Sequence, residues 1–235
     1  SSSGHLILIP KIFNWQLQSL AFDTVLHLGT AVALIFYFRK DILGVFKNEK
    51  YLRLVILGSL PAVFIGFFFG DLIENTFRSA FSVATFLFIG SLIILLAEKT
   101  YNKIWYNERL DDPAKLNSKE AIVIGIFQSL ALFSGISRSG ATISGGMFMR
   151  MRRDTAARYS FILSIPIVIG AGIFKVAQSY QELSFDVVML SGFFASVTTG
   201  FLTIKFLLRF LKDNKLYPFL YYRLMLVLLI ISLLI

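Results

Sequence analysis

Between two apolar runs, residues 134–142 read SGISRSGAT and gather an arginine, three serines, a threonine and two glycines. Such a set suits an anion. Gly140 lets backbone amides approach a ligand closely, and a helix starting near it aims its N-terminal amides back at the segment. Arg138 offers a planar guanidinium that can grip two phosphate oxygens at once. The hydroxyls of Ser137, Ser139 and Thr142 add donors, and phosphate is the anion that fits them all. For the neighbouring Ser144, Gly145 and Gly146, helix packing is the competing reading, since small residues at helix interfaces are routine in membranes. Arg138 resists that reading, because an arginine far from either membrane interface costs from about 2.5 to more than 10 kcal/mol.

A second polar group, SSSGH, opens the chain and adds a histidine, a residue able to act as nucleophile or to move protons near neutral pH. Alone, His5 reads as a surface histidine near a terminus; beside a phosphate site it becomes a candidate catalyst. His27, in FDTVLHLGT, reads as a helix-packing histidine, and Asp23 as a carboxylate favoured by a helix N-terminus. Lys205 and Arg209 can snorkel to an interface. No HExxH, GxGxxG, P-loop or GxSxG pattern is present.

The elements that must position these residues are membrane helices. The chain is 56% hydrophobic and 16% charged, against roughly 25% charged in soluble domains. It has 25 Phe and no Cys, which excludes disulfides and cysteine chemistry. The net charge of +9 comes from short loops, where membrane orientation accounts for it, so nucleic acid is excluded as a partner. Six runs approach the ~20 apolar residues a span needs: 22–38, 53–70, 80–97, 157–177, 187–208 and 217–235. Basic residues after the first run (Arg39, Lys40, Lys47, Lys50, Arg53) and after the third (Lys99, Lys103, Arg109, Lys115, Lys119) predict cytoplasmic loops. Segments 71–79 and 178–186 are poor in Lys and Arg and read as external.

Arg150, Arg152, Arg153 and Arg158 return the chain to the cytoplasm, so residues 121–149 must leave and re-enter one side. Their apolar arms, 121–133 and 143–149, are each too short to span. This predicts a re-entrant hairpin with SGISRSGAT at its apex, facing protein or a water-filled cavity because irregular backbone is not tolerated in lipid. By the same parity, residues 1–10 read as the second arm of another hairpin that opens outward. Opposed hairpins, each followed by membrane spans, predict an inverted-topology repeat with halves 1–97 and 121–208, and 217–235 appended. The expected fold class is all-α: one polytopic membrane domain over 1–235.

SSSGHLILIPK, FDTVLHLGTAVALIFYFRKDI, QSLALFSGISRSGAT, AARYSFILSIP and PFLYYR resemble, in order and spacing, the undecaprenyl-diphosphate phosphatase family, also called the bacitracin-resistance family. The likeness runs from Ser1 to about Arg223. It implies an integral enzyme of the bacterial cytoplasmic (inner) membrane that hydrolyses a C55 polyprenyl diphosphate to its monophosphate, recycling the carrier for cell-wall synthesis, with a site open to the outer face. Carried over by position, His5, Ser2, Ser137 and Arg138 are the catalytic residues it implies. Ser3, Ser139, Gly140 and Thr142 are the substrate-binding ones. Arg138 is assigned as phosphate clamp and His5 as nucleophile or general acid/base, with Ser2 a competing nucleophile. The implied partners are the polyprenyl diphosphate, the membrane and a second copy of the chain.

Two departures stand out. The family carries two glutamates upstream of its SSSGH-like segment, associated with a divalent cation (Mg or Ca), and none of the 14 acidic residues here lies in either hairpin. The cation ligands are therefore expected upstream of Ser1, with the entering arm of the first hairpin absent from an incomplete N-terminus. Ser134 also stands where the family commonly has proline, which loosens the turn without removing a donor. Two other readings stay open at this stage: a flippase for polyprenyl phosphate, because opposed hairpins also build alternating-access carriers, and an inactive lipid-phosphate binder.

Overall fold

Short polar side chains set where the helices begin. Ser19, Asn48 and Ser79 each accept an amide from the first turn beyond them, and Asp186 does the same at 2.8 Å from the Met189 amide. Asn117 and Glu120 exchange side-chain and backbone bonds of 2.9 Å in a capping box. Each cap is worth about 1 kcal/mol and satisfies donors that would otherwise be orphaned. The resulting helices, in a computed structural model, are α1 (Leu20–Lys47), α2 (Glu49–Thr76), α3 (Ala80–Tyr101), α4 (Ser118–Ser129), α5 (Arg138–Phe148), α6 (Arg153–Ser179), α7 (Val187–Asp213) and α8 (Tyr217–Leu234). Short 3₁₀ turns cover Pro113–Lys115 and Leu130–Leu132. The structure describes residues 5, 6, 9, 10, 12, 13, 15, 16, 19–77, 79–104, 108–179 and 186–234.

Among the described residues five helices are long and apolar enough to span a membrane: Ala21–Lys47, Glu49–Ile73, Ala80–Tyr101, Arg153–Phe174 and Val187–Asp213. The sixth expected run is helical as well, forming the shorter apolar helix α8 (Tyr217–Leu234, 18 residues). The helices also run past the predicted apolar limits. Arg39 and Lys40 continue α1 to Lys47, since hydropathy marks only the hydrocarbon-facing part while backbone hydrogen bonding continues into the polar region.

Packing follows the small and apolar faces. α1 lies against α6 and α7, α2 against α4, and α3 against both α5 and α8. The main core gathers Leu34, Phe38, Leu54, Ile143, Met147, Tyr159 and Leu163. A second, smaller core joins Val83, Ala84 and Leu87 to Val227 and Ile230. Outside, Phe36, Phe64, Phe67, Phe68, Phe81, Phe194 and Phe206 are exposed, Phe67 to 79%. Aromatic side chains turned outward in such number suit hydrocarbon rather than water.

Charges collect at one end of the bundle. Glu98, fully buried, receives Arg153 through Nε at 2.9 Å and through a second nitrogen at 2.5 Å, and accepts the Leu216 amide at 2.8 Å. The ring of Tyr101 carries the guanidiniums of Arg109 and Arg153, each 4.0 Å from its centroid. Arg158 pairs with Asp41. At the surface, a 2.7 Å bond from Lys115 holds the Asp111 carboxyl below its usual range. Loops following α1, α3, α5 and α7 are thereby tied together.

Helices α4 and α5 form the expected hairpin. With 12 and 11 residues they are about 18 and 16 Å long, well short of a ~30 Å hydrocarbon core. Its base is closed at the charged end: Leu110 donates to the Arg150 carbonyl at 2.7 Å, and Arg152 donates back to the Leu110 carbonyl at 2.9 Å. Arg150 also reaches Glu120 at 3.4 Å. The chain therefore does return to the end it left.

Candidate active site

The hairpin apex is built on backbone that few residues adopt. Gly135 has φ +116°, and a Cβ there would meet the Val83 carbonyl oxygen at 2.6 Å, so glycine is required both by conformation and by close approach to α3. Ser137 has φ 75° and ψ 111°, a costly geometry for a residue with a side chain and one that concentrates at functional sites. Its Oγ accepts the Gly140 amide at 3.2 Å and its carbonyl accepts the Ala141 amide at 2.9 Å. The first-turn amides of Arg138 and Ser139 are left at the open end of α5.

The polar residues that look equivalent in sequence separate into two sets. Residues 137–140 are half-buried, whereas 141–147 are buried. Among the described residues, neither the Arg138 guanidinium nor the Ser139 hydroxyl has a hydrogen-bond or ion-pair partner. Thr142, 1% exposed, is engaged: its hydroxyl donates to the Arg138 carbonyl at 2.8 Å and pairs with Ser160 of α6. Ser137 caps the helix, and Gly140 fits within 3.2–3.3 Å of Ser137 and Ile94. Gly145 and Gly146 do pack, against Phe127 and Ala156 respectively.

A second arginine holds the apex from behind. Arg223 of α8, 5% exposed, donates from Nε to Ser91 Oγ at 3.1 Å. One terminal nitrogen reaches the carbonyls of Leu87 at 3.0 Å, Gly135 at 2.9 Å and Ile136 at 3.1 Å. Gly90 clears the path, since a Cβ there would meet the Ile136 carbonyl oxygen at 2.5 Å. On the other side Phe77, Phe86 and Phe133 interlock with centroids 4.7–5.5 Å apart. From Glu98 to Leu87 the axis of α3 rises about 16 Å, so the apex lies that far along α3 from the charged end, about half the ~30 Å thickness of a hydrocarbon core.

His5 is half-buried and meets α8 one residue before Arg223. Its Nε2 lies 2.7 Å from the Tyr222 hydroxyl, and the two rings are parallel within 3° at a centroid distance of 5.9 Å. Consecutive residues of one helix thus hold the two segments singled out in the sequence. Ser2 and Ser3 lie outside the described residues. His27 is half-buried on α1.

Arg223, Tyr222 and Ser91 were not among the sequence candidates. The signal for Arg223 was present, a single charge within the last apolar run, and is the same signal that marks Arg138. Among the described residues no group of three His, Asp or Glu side chains could hold a metal ion, and no carboxylate pairs with the apex. The described residues therefore do not fit a divalent cation.

The family profile described as bacitracin resistance protein BacA matches residues 1–229. Relatives named undecaprenyl-diphosphatase include that of Methanosphaera stadtmanae, 36% identical over 94% of this chain and 87% of its own length. Those of Trichlorobacter lovleyi and Geobacter sulfurreducens are each 38% identical, over 95% and 96% of this chain and 86% and 88% of theirs. The chain belongs to the BacA bacitracin-resistance family.

Proposed function

We propose that this chain is an undecaprenyl-diphosphatase, a multi-pass membrane hydrolase converting a C55 polyprenyl diphosphate to the monophosphate and inorganic phosphate. The observation that carries the reading is the unpartnered Arg138 guanidinium, set beside the Ser139 hydroxyl and the open amides of α5 at mid-depth. An isolated cation there is costly unless it meets an anion. A diphosphate whose lipid tail stays in hydrocarbon supplies one.

In the reaction a nucleophile attacks the distal phosphorus, the bond from that phosphorus to the bridging oxygen breaks, and the electron pair leaves on the polyprenyl phosphate. Arg138 and the α5 amides offset the charge that grows on the phosphoryl oxygens. His5 takes the proton of an attacking water, or attacks phosphorus itself before water releases the phosphate. Thr142 acts from behind the apex, fixing the Arg138 carbonyl. We place the charged end of the bundle in the cytoplasm of a bacterial inner membrane, the site toward the outer face, and the ligands of a Mg or Ca ion outside the described residues. The inverted repeat belongs to the same proposal.

Phosphate release from polyprenyl diphosphate by the purified protein in detergent tests this. Arg138→Ala should insert normally and release none. An inert wild-type protein, or turnover retained in R138A, would overturn it.

A further inference from the structure

We infer that the Tyr222 hydroxyl is a positioning group for His5, setting the orientation of the imidazole through its contact with Nε2. The inference rests on the role given to His5 above.

A histidine joined to the chain by two rotatable bonds has no preferred direction of its own. Here a 2.7 Å hydrogen bond to Nε2 fixes the position of the ring, whose plane is parallel to that of the phenol within 3°. The phenol suits both states of the imidazole. Its O–H donates to a neutral Nε2, and its oxygen accepts from Nε2–H once the ring is protonated.

The support is itself anchored. Tyr222 is followed by Arg223, whose four hydrogen bonds pin this turn of α8 to α3 and to the apex. His5 and Arg138 are thus referenced to one rigid turn, which is what holding two reacting groups in register requires.

The test uses the full chain with Tyr222→Phe, which keeps the ring and removes the hydroxyl, Tyr222→Leu, which removes both, His5→Ala, and the Y222F/H5A double variant. Tyr222 is 51% exposed, so these substitutions leave the core intact. Y222F should lower kcat about tenfold, the worth of roughly one hydrogen bond, with KM within about twofold, and Y222L should lower it further. In the H5A background Y222F should add nothing, as expected of groups acting as a unit. Turnover unchanged in Y222F, or a loss that adds fully to that of H5A, would overturn the inference. A second readout does not need turnover: the chain has 2 His, so ¹⁵N-histidine spectra with His27→Gln report His5 alone. Y222F should shift its Nε2 signal and leave the amide spectrum of the apex in place. A shifted signal with no phosphate release from wild type would sink the functional reading and not the contact. An unshifted signal would sink the contact.

Discussion

Arg138 and Arg223 belong to one hairpin apex in opposite states: the first lies within it and the second is bonded to it. Arg223 donates to the carbonyls of Gly135 and Ile136 and to two groups of α3, while Arg138, one residue beyond Ser137, has no partner among the described residues. One guanidinium is spent on structure and the other is held open for a ligand.

The two should respond differently to substitution. Arg223→Met leaves buried carbonyls without their charged donor, at a cost of about 3 kcal/mol, so it should lower the thermal midpoint in detergent and abolish turnover together. Arg138→Ala should leave the midpoint within a degree or two and remove turnover alone. A large loss of stability in R138A would show that its charge is already engaged.

Ser139 and Thr142 should separate in the same way. Ser139→Ala should reduce kcat/KM for the diphosphate with stability unchanged. Thr142→Val breaks the bonds to Arg138 and Ser160, at about 1 kcal/mol each, and should lower stability as well as rate. Ser160→Ala should cost about half as much as T142V and add little to it in the double variant, because it removes one of the two contacts that T142V removes.

At the charged end, Glu98→Gln removes the partner of a mostly buried guanidinium and weakens the acceptor of the Leu216 amide. Breaking a buried pair from one side costs about 3–5 kcal/mol, so E98Q should unfold at markedly lower temperature. Glu98→Gln with Arg153→Met should recover part of the loss, and the thermal midpoints of the three proteins decide it.

Orientation is testable because the chain has no cysteine of its own. Cysteines placed at Lys47, the last residue of α1, and at Val187, the first of α7 and 82% exposed, should label from opposite faces of sealed vesicles. Labelling of both from one face would overturn the proposed topology.

Much of this was legible from residue types. Arg138 announced itself because a charge in apolar sequence needs a reason, and the hairpin followed from two arms too short to cross and flanked by basic loops. What sequence could not separate was Ser139 from Thr142, since both are hydroxyls and only the packing of α6 against α5 decides which is occupied. The Leu110–Met151 bridge depends on backbone atoms and leaves no residue signature. Glu98 is fully buried, and nothing in its residue type or neighbours distinguishes it from the surface carboxylates. The last run carries a single charge, Arg223, and forms the 18-residue helix α8.

The distance along the chain between the apex and its support has a biosynthetic consequence. Arg223 follows Ile136 by 87 residues and Gly135 by 88, so both carbonyls wait without that donor while the ribosome makes everything between. The site is completed only when α8 leaves the exit tunnel. A nascent chain stopped at Asn214 should enter the membrane and yet be barren as a catalyst, because the segment that buttresses the apex has not yet been made.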